Sequence, residues 1–154
     1  MRSYLHGEEN SLPVSDFVID VRQGRVEDFM QKLKSFTAGI PYDSIPKDDS
    51  KGAAWIRGAR EAHYQNVIYV LMKLMGFYTH TECRTATGRI DIVVETADYV
   101  YIMELKTNST PEKALTQIED SGYAMAYEYT GKRIFKIGAS FSTRTQKLTR
   151  WIIA

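Results

Sequence analysis

Apolar residues in the first half of the chain recur at the spacing of one face of an α-helix. This pattern predicts two short helices, from Val14 to Gln23 and from Arg25 to Thr37, which are divided at Gly24. A longer helix is predicted from about Ile56 to Met75, and Gly76 stands where a left-handed residue would end it. We expect these helices to bury their apolar stripes in a core.

Beyond Gly76 the pattern changes to short runs rich in Ile, Val and Tyr, which are typical of β-strands. The first runs are separated by short breaks and predict an antiparallel meander of three strands: Tyr78 to Arg84, Arg89 to Glu95 and Tyr99 to Lys106. A Ser-Thr-Pro segment then provides the hydroxyl cap and first-turn proline of a helix from Pro111 to about Tyr123. Strands at Arg133 to Phe141 and Gln146 to Ile153, joined by a Ser-Thr-Arg-Thr turn, complete the prediction of an α/β fold.

The length of 154 residues fits one ordinary domain with a single site. We divide it into a flexible lead-in at 1–13, a helical extension and linker at 14–52, and the main domain at 53–154. The one cysteine, Cys83, excludes an internal disulfide, and the sequence contains no signal peptide or membrane-spanning apolar run. A reducing cytoplasm is therefore the expected compartment.

The overall charge does not predict a nucleic-acid-binding protein, because 20 Lys and Arg residues are balanced by 19 Asp and Glu residues. The segment from Tyr129 to Ala154 is an exception, because it contains basic residues and no acidic ones. These basic residues are Lys132, Arg133, Lys136, Arg144, Lys147 and Arg150. Two explanations of these basic residues are equally good: they lie on solvated faces of exposed strands, or they form a surface that faces phosphates.

The candidate for chemistry is a group of charged residues on the predicted strands. Side chains alternate along a strand, so Glu104 and Lys106 share one face with Ile102. If the second and third strands form a hairpin with a two-residue loop, the register places Asp91 directly opposite Glu104. A structural ion pair is the ordinary explanation of a lone Glu-x-Lys triplet. A buried cluster of three charges is a poor stabiliser, however, which favours a functional explanation.

Two neighbouring carboxylates repel each other unless a divalent cation neutralises them, and Mg²⁺ (or Mn²⁺) prefers such oxygen ligands. The three histidines match no zinc-binding spacing, which argues against a metal bound by nitrogen or sulfur. Glu61 lies on the apolar stripe of the third helix and would also need a partner or a metal. A metal and a lysine together can polarise a phosphoryl oxygen and offset charge on the phosphate, so the pattern predicts phosphodiester hydrolysis.

The charged residues belong to a longer series of spaced motifs: Glu82, Gly88-Arg89-Ile90-Asp91, Glu104-Leu105-Lys106 and Ala114-Leu115-Thr116-Gln117-Ile118. Together these motifs resemble the PD-(D/E)XK nuclease superfamily, and in particular a branch found C-terminal to an AAA-ATPase-like domain. The segment from Gly24 to Asp43 resembles the helices that precede the nuclease in that branch. The resemblance implies a restriction-endonuclease-like core, in which helices flank a mixed sheet with the element order αβββαβ.

The resemblance also implies roles for individual residues. Asp91 and Glu104 would bind Mg²⁺, Lys106 would position the attacking water, and Glu61 would be an accessory metal ligand. Gln117 matches a glutamine that supports the catalytic lysine or the substrate in some members, and a helix-surface amide is an equal alternative. Glu82 also matches the pattern, and its role stays open.

The favoured hypothesis is a Mg²⁺-dependent endo- or exonuclease domain that acts on nucleic acid, with DNA as the expected substrate. The alternative is a catalytically silent nucleic-acid-binding or protein-interaction module that retains the fold. A third hypothesis is a structural domain whose ion cluster fixes the strand register. The sequence contains no phosphate-binding loop, so the chain is expected to be either a fragment of a longer protein with an ATPase-like domain or a stand-alone relative. A nuclease that makes double-strand cuts would often form a homodimer, and no membrane partner is expected.

Overall fold

The structure is a computed structural model that describes residues 14–38, 53–74, 76–84, 89–142 and 147–154. Within these ranges the side chains of residues 14, 53–62, 78–84 and 89–91 are not described. The predicted lead-in, most of the predicted linker and most of the Ser-Thr-Arg-Thr turn lie outside the described residues.

The helices lie close to their predicted positions. They are α1 (Val14–Arg22), α2 (Val26–Ala38), α3 (Ala53–Leu74) and α4 (Pro111–Ser121), followed by a 3₁₀ helix (Tyr123–Thr130). Gly76 has a φ of 85° and its N–H donates to the carbonyl of Lys73, so it ends α3 as predicted. α4 is shorter than expected because Gly122, with a φ of 66°, ends it before Tyr123. Among the described residues, no helix combines the length and apolar composition needed to cross a bilayer.

Within the described part of the chain, the strands form one mixed five-stranded sheet in the order β1-β2-β3-β4-β5. The strands are β1 (Tyr78–Arg84), β2 (Arg89–Glu95), β3 (Tyr99–Thr107), β4 (Arg133–Ser142) and β5 (Lys147–Ile153). The predicted meander is confirmed, because β1, β2 and β3 pair antiparallel. β4 pairs parallel with β3, and α4 forms the crossover between them. The α/β class and the mixed sheet flanked by helices are therefore as expected.

The hairpin between β2 and β3 has the predicted two-residue loop. The N–H of Thr96 donates to the carbonyl of Tyr99 at 2.9 Å. The paired residues include Ile92 with Met103 and Val93 with Ile102. The register predicted for this hairpin is thus confirmed over the residues whose pairing is described.

The two faces of the sheet carry different layers. One face packs against α1, α2 and α3 in a large apolar cluster that includes Tyr101 and Met103 of β3. The other face, which we call the α4 face, carries a smaller cluster of Val93, Val100, Ile102 and Ile118. Because successive residues of a strand point to opposite faces, this division fixes the side on which every β3 side chain lies.

The N-terminal helices share the core of the sheet. Phe17 of α1 and Phe29 of α2 are fully buried, and the Phe29 ring lies 5.2 Å from that of Tyr101. The Tyr101 hydroxyl donates to the carbonyl of Val21, and burial raises the pKa of this phenol, so it remains a protonated donor. The division at residue 53 stays a prediction, but the described part of the extension is packed as part of the same body.

Replacing Phe29 with alanine is expected to lower the free energy of unfolding by about 3 to 5 kcal/mol, because the large ring is buried and its removal leaves a cavity. Urea denaturation followed by circular dichroism would measure this change as one shifted transition. The exposed Gln31 of the same helix provides a control, and Gln31→Ala should change stability little. A separate early transition in Phe29→Ala, with the main transition unmoved, would show that α2 folds apart from the sheet.

Candidate active site

The two charged residues of β3 lie on the α4 face, as the alternation predicts. Glu104 is only 2% exposed although it is a carboxylate, and it follows the buried Ile102 by two residues. The side chain of Lys106 retains 24% exposure, so its ammonium lies where the sheet face meets solvent. A carboxylate this deeply buried is costly without partners, and the neighbouring cation offsets part of that cost.

Lys106 is held between two described side chains. Its Nζ donates a hydrogen bond to Oε1 of Gln117 at 2.6 Å and lies 3.6 Å from Oε1 of Glu104. The first distance is that of a strong charge-assisted hydrogen bond, and the second is an ion pair without close contact. The structure therefore brings Glu104, Lys106 and Gln117 together, and the ammonium is directed by an amide on one side and a carboxylate on the other.

Local sequence fixes where α4 begins and so where Gln117 lies. Thr110 is extended, and its hydroxyl accepts a hydrogen bond from the N–H of Lys113 at 3.2 Å. Pro111 occupies the first helical position, where a missing N–H costs nothing. Ala114 and Ile118 are fully buried against the sheet, which leaves Gln117 half-buried at the edge of the contact.

The remaining predicted site residues have side chains outside the described set. The backbone of Asp91 belongs to β2, and one further step of the register after Ile92 and Met103 would set it opposite Glu104. Alternation from Val93 would also place Asp91 on the α4 face. Glu61 belongs to α3 and Glu82 to β1. The placement of the Asp91, Glu61 and Glu82 side chains stays a prediction.

The position of α3 matters for Glu61. The buried residues that follow it on the helix, Tyr64 and Ile68, pack into the large cluster on the face opposite Glu104 and Lys106. A carboxylate on this helix would therefore have to reach the site around the edge or end of the sheet. Among the described side chains there is no group of three His, Cys, Asp or Glu residues that could hold a metal.

The basic C-terminal segment is partly neutralised by carboxylates of other elements. Lys132 lies 2.7 Å from Glu95, and Arg150 lies 3.2 Å from Glu112 of α4. The guanidinium of Arg133 lies over the Phe135 ring at 4.8 Å. These contacts favour a structural role for several of these charges, while Arg144 lies outside the described residues.

Comparison with known proteins agrees with this arrangement. Residues 59–151, more than half of the chain, match the family model of the PD-(D/E)XK nuclease superfamily. The chain is also 32% identical over 125 residues to an uncharacterized protein in the vnfD 5′ region of Azotobacter chroococcum mcd 1. That alignment covers 77% of this chain and 22% of the relative, so the chain spans less than a quarter of the relative's length.

Proposed function

This chain belongs to the PD-(D/E)XK nuclease superfamily, and from that membership we propose that it is a Mg²⁺-dependent nuclease domain that hydrolyses phosphodiester bonds in DNA. The observation that carries the proposal is the buried Glu104 beside a Lys106 ammonium that is held by Gln117. A buried carboxylate and a directed ammonium at the edge of a sheet form a polar centre that core packing alone does not require.

The donor chemistry of the site fits a hard divalent cation. Glu104 supplies a carboxylate, and Asp91 and Glu61 are the further oxygen ligands that we propose, which is the type of set that Mg²⁺ prefers. A divalent cation would supply a Lewis acid at the phosphoryl group and promote ionisation of water. Mn²⁺ has similar preferences and would be expected to substitute for it.

The protein groups supply position and charge. Lys106 uses one N–H for Gln117 and retains others, which can donate to an attacking water and to a phosphate oxygen. Its positive charge would stabilise the negative charge that develops on the phosphate in the transition state. Gln117 acts through Lys106, because its amide oxygen fixes the direction in which the ammonium points.

Replacing Gln117 with alanine is expected to lower kcat for cleavage roughly 10- to 100-fold while the free energy of unfolding changes little, because a supporting partner of a catalytic group is lost. A fluorescent DNA cleavage assay with Mg²⁺ would measure the rate. Glu119→Ala is a matched control, since Glu119 lies on the exposed side of the same helix. Equal cleavage rates for both variants would show that the Gln117 amide is an ordinary polar group of the helix surface with no role in cleavage.

We also propose that the domain functions within a longer protein, in which an AAA-ATPase-like domain precedes it. The relative from Azotobacter chroococcum mcd 1 supports a longer context, because only 22% of it corresponds to this chain. Nucleases that cut both strands of a duplex often pair two such sites, so we propose that the domain forms a homodimer during cutting. Light scattering of the protein with and without a DNA duplex would test the expected homodimer.

A further inference from the structure

A glycine of β4 lies directly beneath the first turns of α4. A Cβ atom placed on Gly138 would lie 2.3 Å from the carbonyl oxygen of Pro111 and 2.8 Å from the N–H nitrogen of Leu115. Both of these are backbone atoms, so no side-chain rotation can relieve the contact. The helix therefore approaches the sheet at a distance that only glycine permits at this position.

β4 also forms hydrogen bonds with the loop between β3 and α4. The buried hydroxyl of Ser140 donates to the carbonyl of Ser109 at 2.5 Å, and the N–H of Asn108 donates to the carbonyl of Phe141 at 2.9 Å. Asn108 has a φ of 53°, which turns the chain sharply at the end of β3. The start of α4 is thus fastened to β4 by hydrogen bonds and by close packing.

The register places these two β4 residues beside the charged pair. Gly138 pairs with Glu104, and Ser140 pairs with Lys106. Leu115, whose N–H lies over Gly138, precedes Gln117 by two residues within one helical turn. Any displacement of this turn away from the sheet would move the Gln117 amide away from the Lys106 ammonium.

We infer that Gly138 and Ser140 are positioning residues, which set α4 at the distance from which Gln117 can hold Lys106. A Cβ at position 138 would require the helix to retreat by about 1 Å to restore ordinary contacts. A retreat of this size along the 2.6 Å hydrogen bond between Lys106 and Gln117 would lengthen it beyond the usual limit of about 3.2 Å. The catalytic meaning of this inference rests on the proposed nuclease function, whereas the effect on the Lys106–Gln117 hydrogen bond does not.

The test separates these two parts by using two readouts on the whole chain. The Lys106 Nζ and Gln117 side-chain amide resonances in ¹⁵N NMR, without metal, report the surroundings of the two groups that this hydrogen bond joins. They should shift in Gly138→Ala and Ser140→Ala, and stay unchanged in Ser35→Ala, a control on α2 whose hydroxyl bonds locally to the carbonyl of Gln31. Unchanged resonances in both β4 variants would overturn the inference, whatever the activity of the protein.

The second readout is a double-mutant cycle on kcat/KM for DNA cleavage. Gly138→Ala should lower this value roughly 10- to 100-fold, like Gln117→Ala, and should cause little further loss in the Gln117→Ala background. Additive losses would show that Gly138 acts by another route and would overturn the inference. If Gly138→Ala does not fold, Ser140→Ala supplies the same cycle, because it removes one hydroxyl and adds no atom. Absence of cleavage by the parent chain would count against the proposed function alone.

Discussion

Replacing Lys106 with methionine should reduce DNA cleavage by roughly 100- to 1000-fold, because the directed positive charge at the phosphate is lost. Methionine keeps an aliphatic stem of similar length, so the packing of the side chain along β3 is largely retained. The loss is expected in kcat more than in KM, since the ammonium acts most strongly on charge that develops in the transition state. Steady-state cleavage of a labelled duplex with Mg²⁺ measures both constants.

The matched control for this variant is Lys113→Met on the exposed face of α4. It removes the same positive charge from an exposed side chain of the helix that carries Gln117. Wild-type rates in the control and a large loss in Lys106→Met would support the proposed role. Undiminished cleavage by Lys106→Met would exclude it, and DNA binding without cleavage by the parent chain would favour the catalytically silent module.

Replacing Glu104 with glutamine should abolish binding of Mg²⁺ and Mn²⁺, because the amide is nearly isosteric and carries no negative charge. At a metal concentration about 100 times its Kd, the parent should gain about 2.7 kcal/mol of stability from the metal. This gain would raise the melting temperature of a chain of this size by several degrees, and the increase should vanish in the variant. Calorimetric titration and thermal melts with and without metal would measure both effects.

An Asp91→Ala, Glu104→Ala double variant extends the metal-binding test to Asp91, whose side-chain placement is still a prediction. Glu119→Gln is the control, because it removes an exposed carboxylate of α4 and should leave metal binding intact. If metal stabilises neither the parent nor the control, even with a DNA duplex present, the metal-dependent mechanism fails. The hypothesis that the ion cluster only fixes strand register would then gain support.

The local parts of this fold were predictable because each depends on a short sequence pattern. The β2–β3 hairpin followed from a two-residue loop between alternating runs, and the common face of Glu104 and Lys106 followed from strand alternation alone. The end of α4 was placed too late, because Gly122 stops the helix while the apolar pattern continues into the 3₁₀ helix. Glycine geometry decided the boundary there more strongly than periodicity.

The long-range parts were not accessible in the same way. Helical spacing placed Glu61 on a buried stripe but could not show which face of the sheet that stripe covers. The contact between Lys106 and Gln117 was expected only from the family resemblance, since it depends on how a crossover helix lies over the sheet. Gly138 had no sequence signal, because a glycine within a strand indicates a close approach only when the neighbouring element is known.

The shared core of the N-terminal helices and the sheet has a practical meaning for protein engineering. A fragment that starts at residue 53 would include all the proposed catalytic residues but would lack Phe29, whose ring packs against Tyr101, and Phe17, which packs against Phe29. Tyr101 belongs to the same strand as Glu104 and Lys106 but points to the opposite face of the sheet, so its uncovered ring would expose an apolar surface behind the site. The minimal transplantable module therefore includes α1 and α2, and a fusion joint placed between them and the sheet would yield an aggregation-prone product.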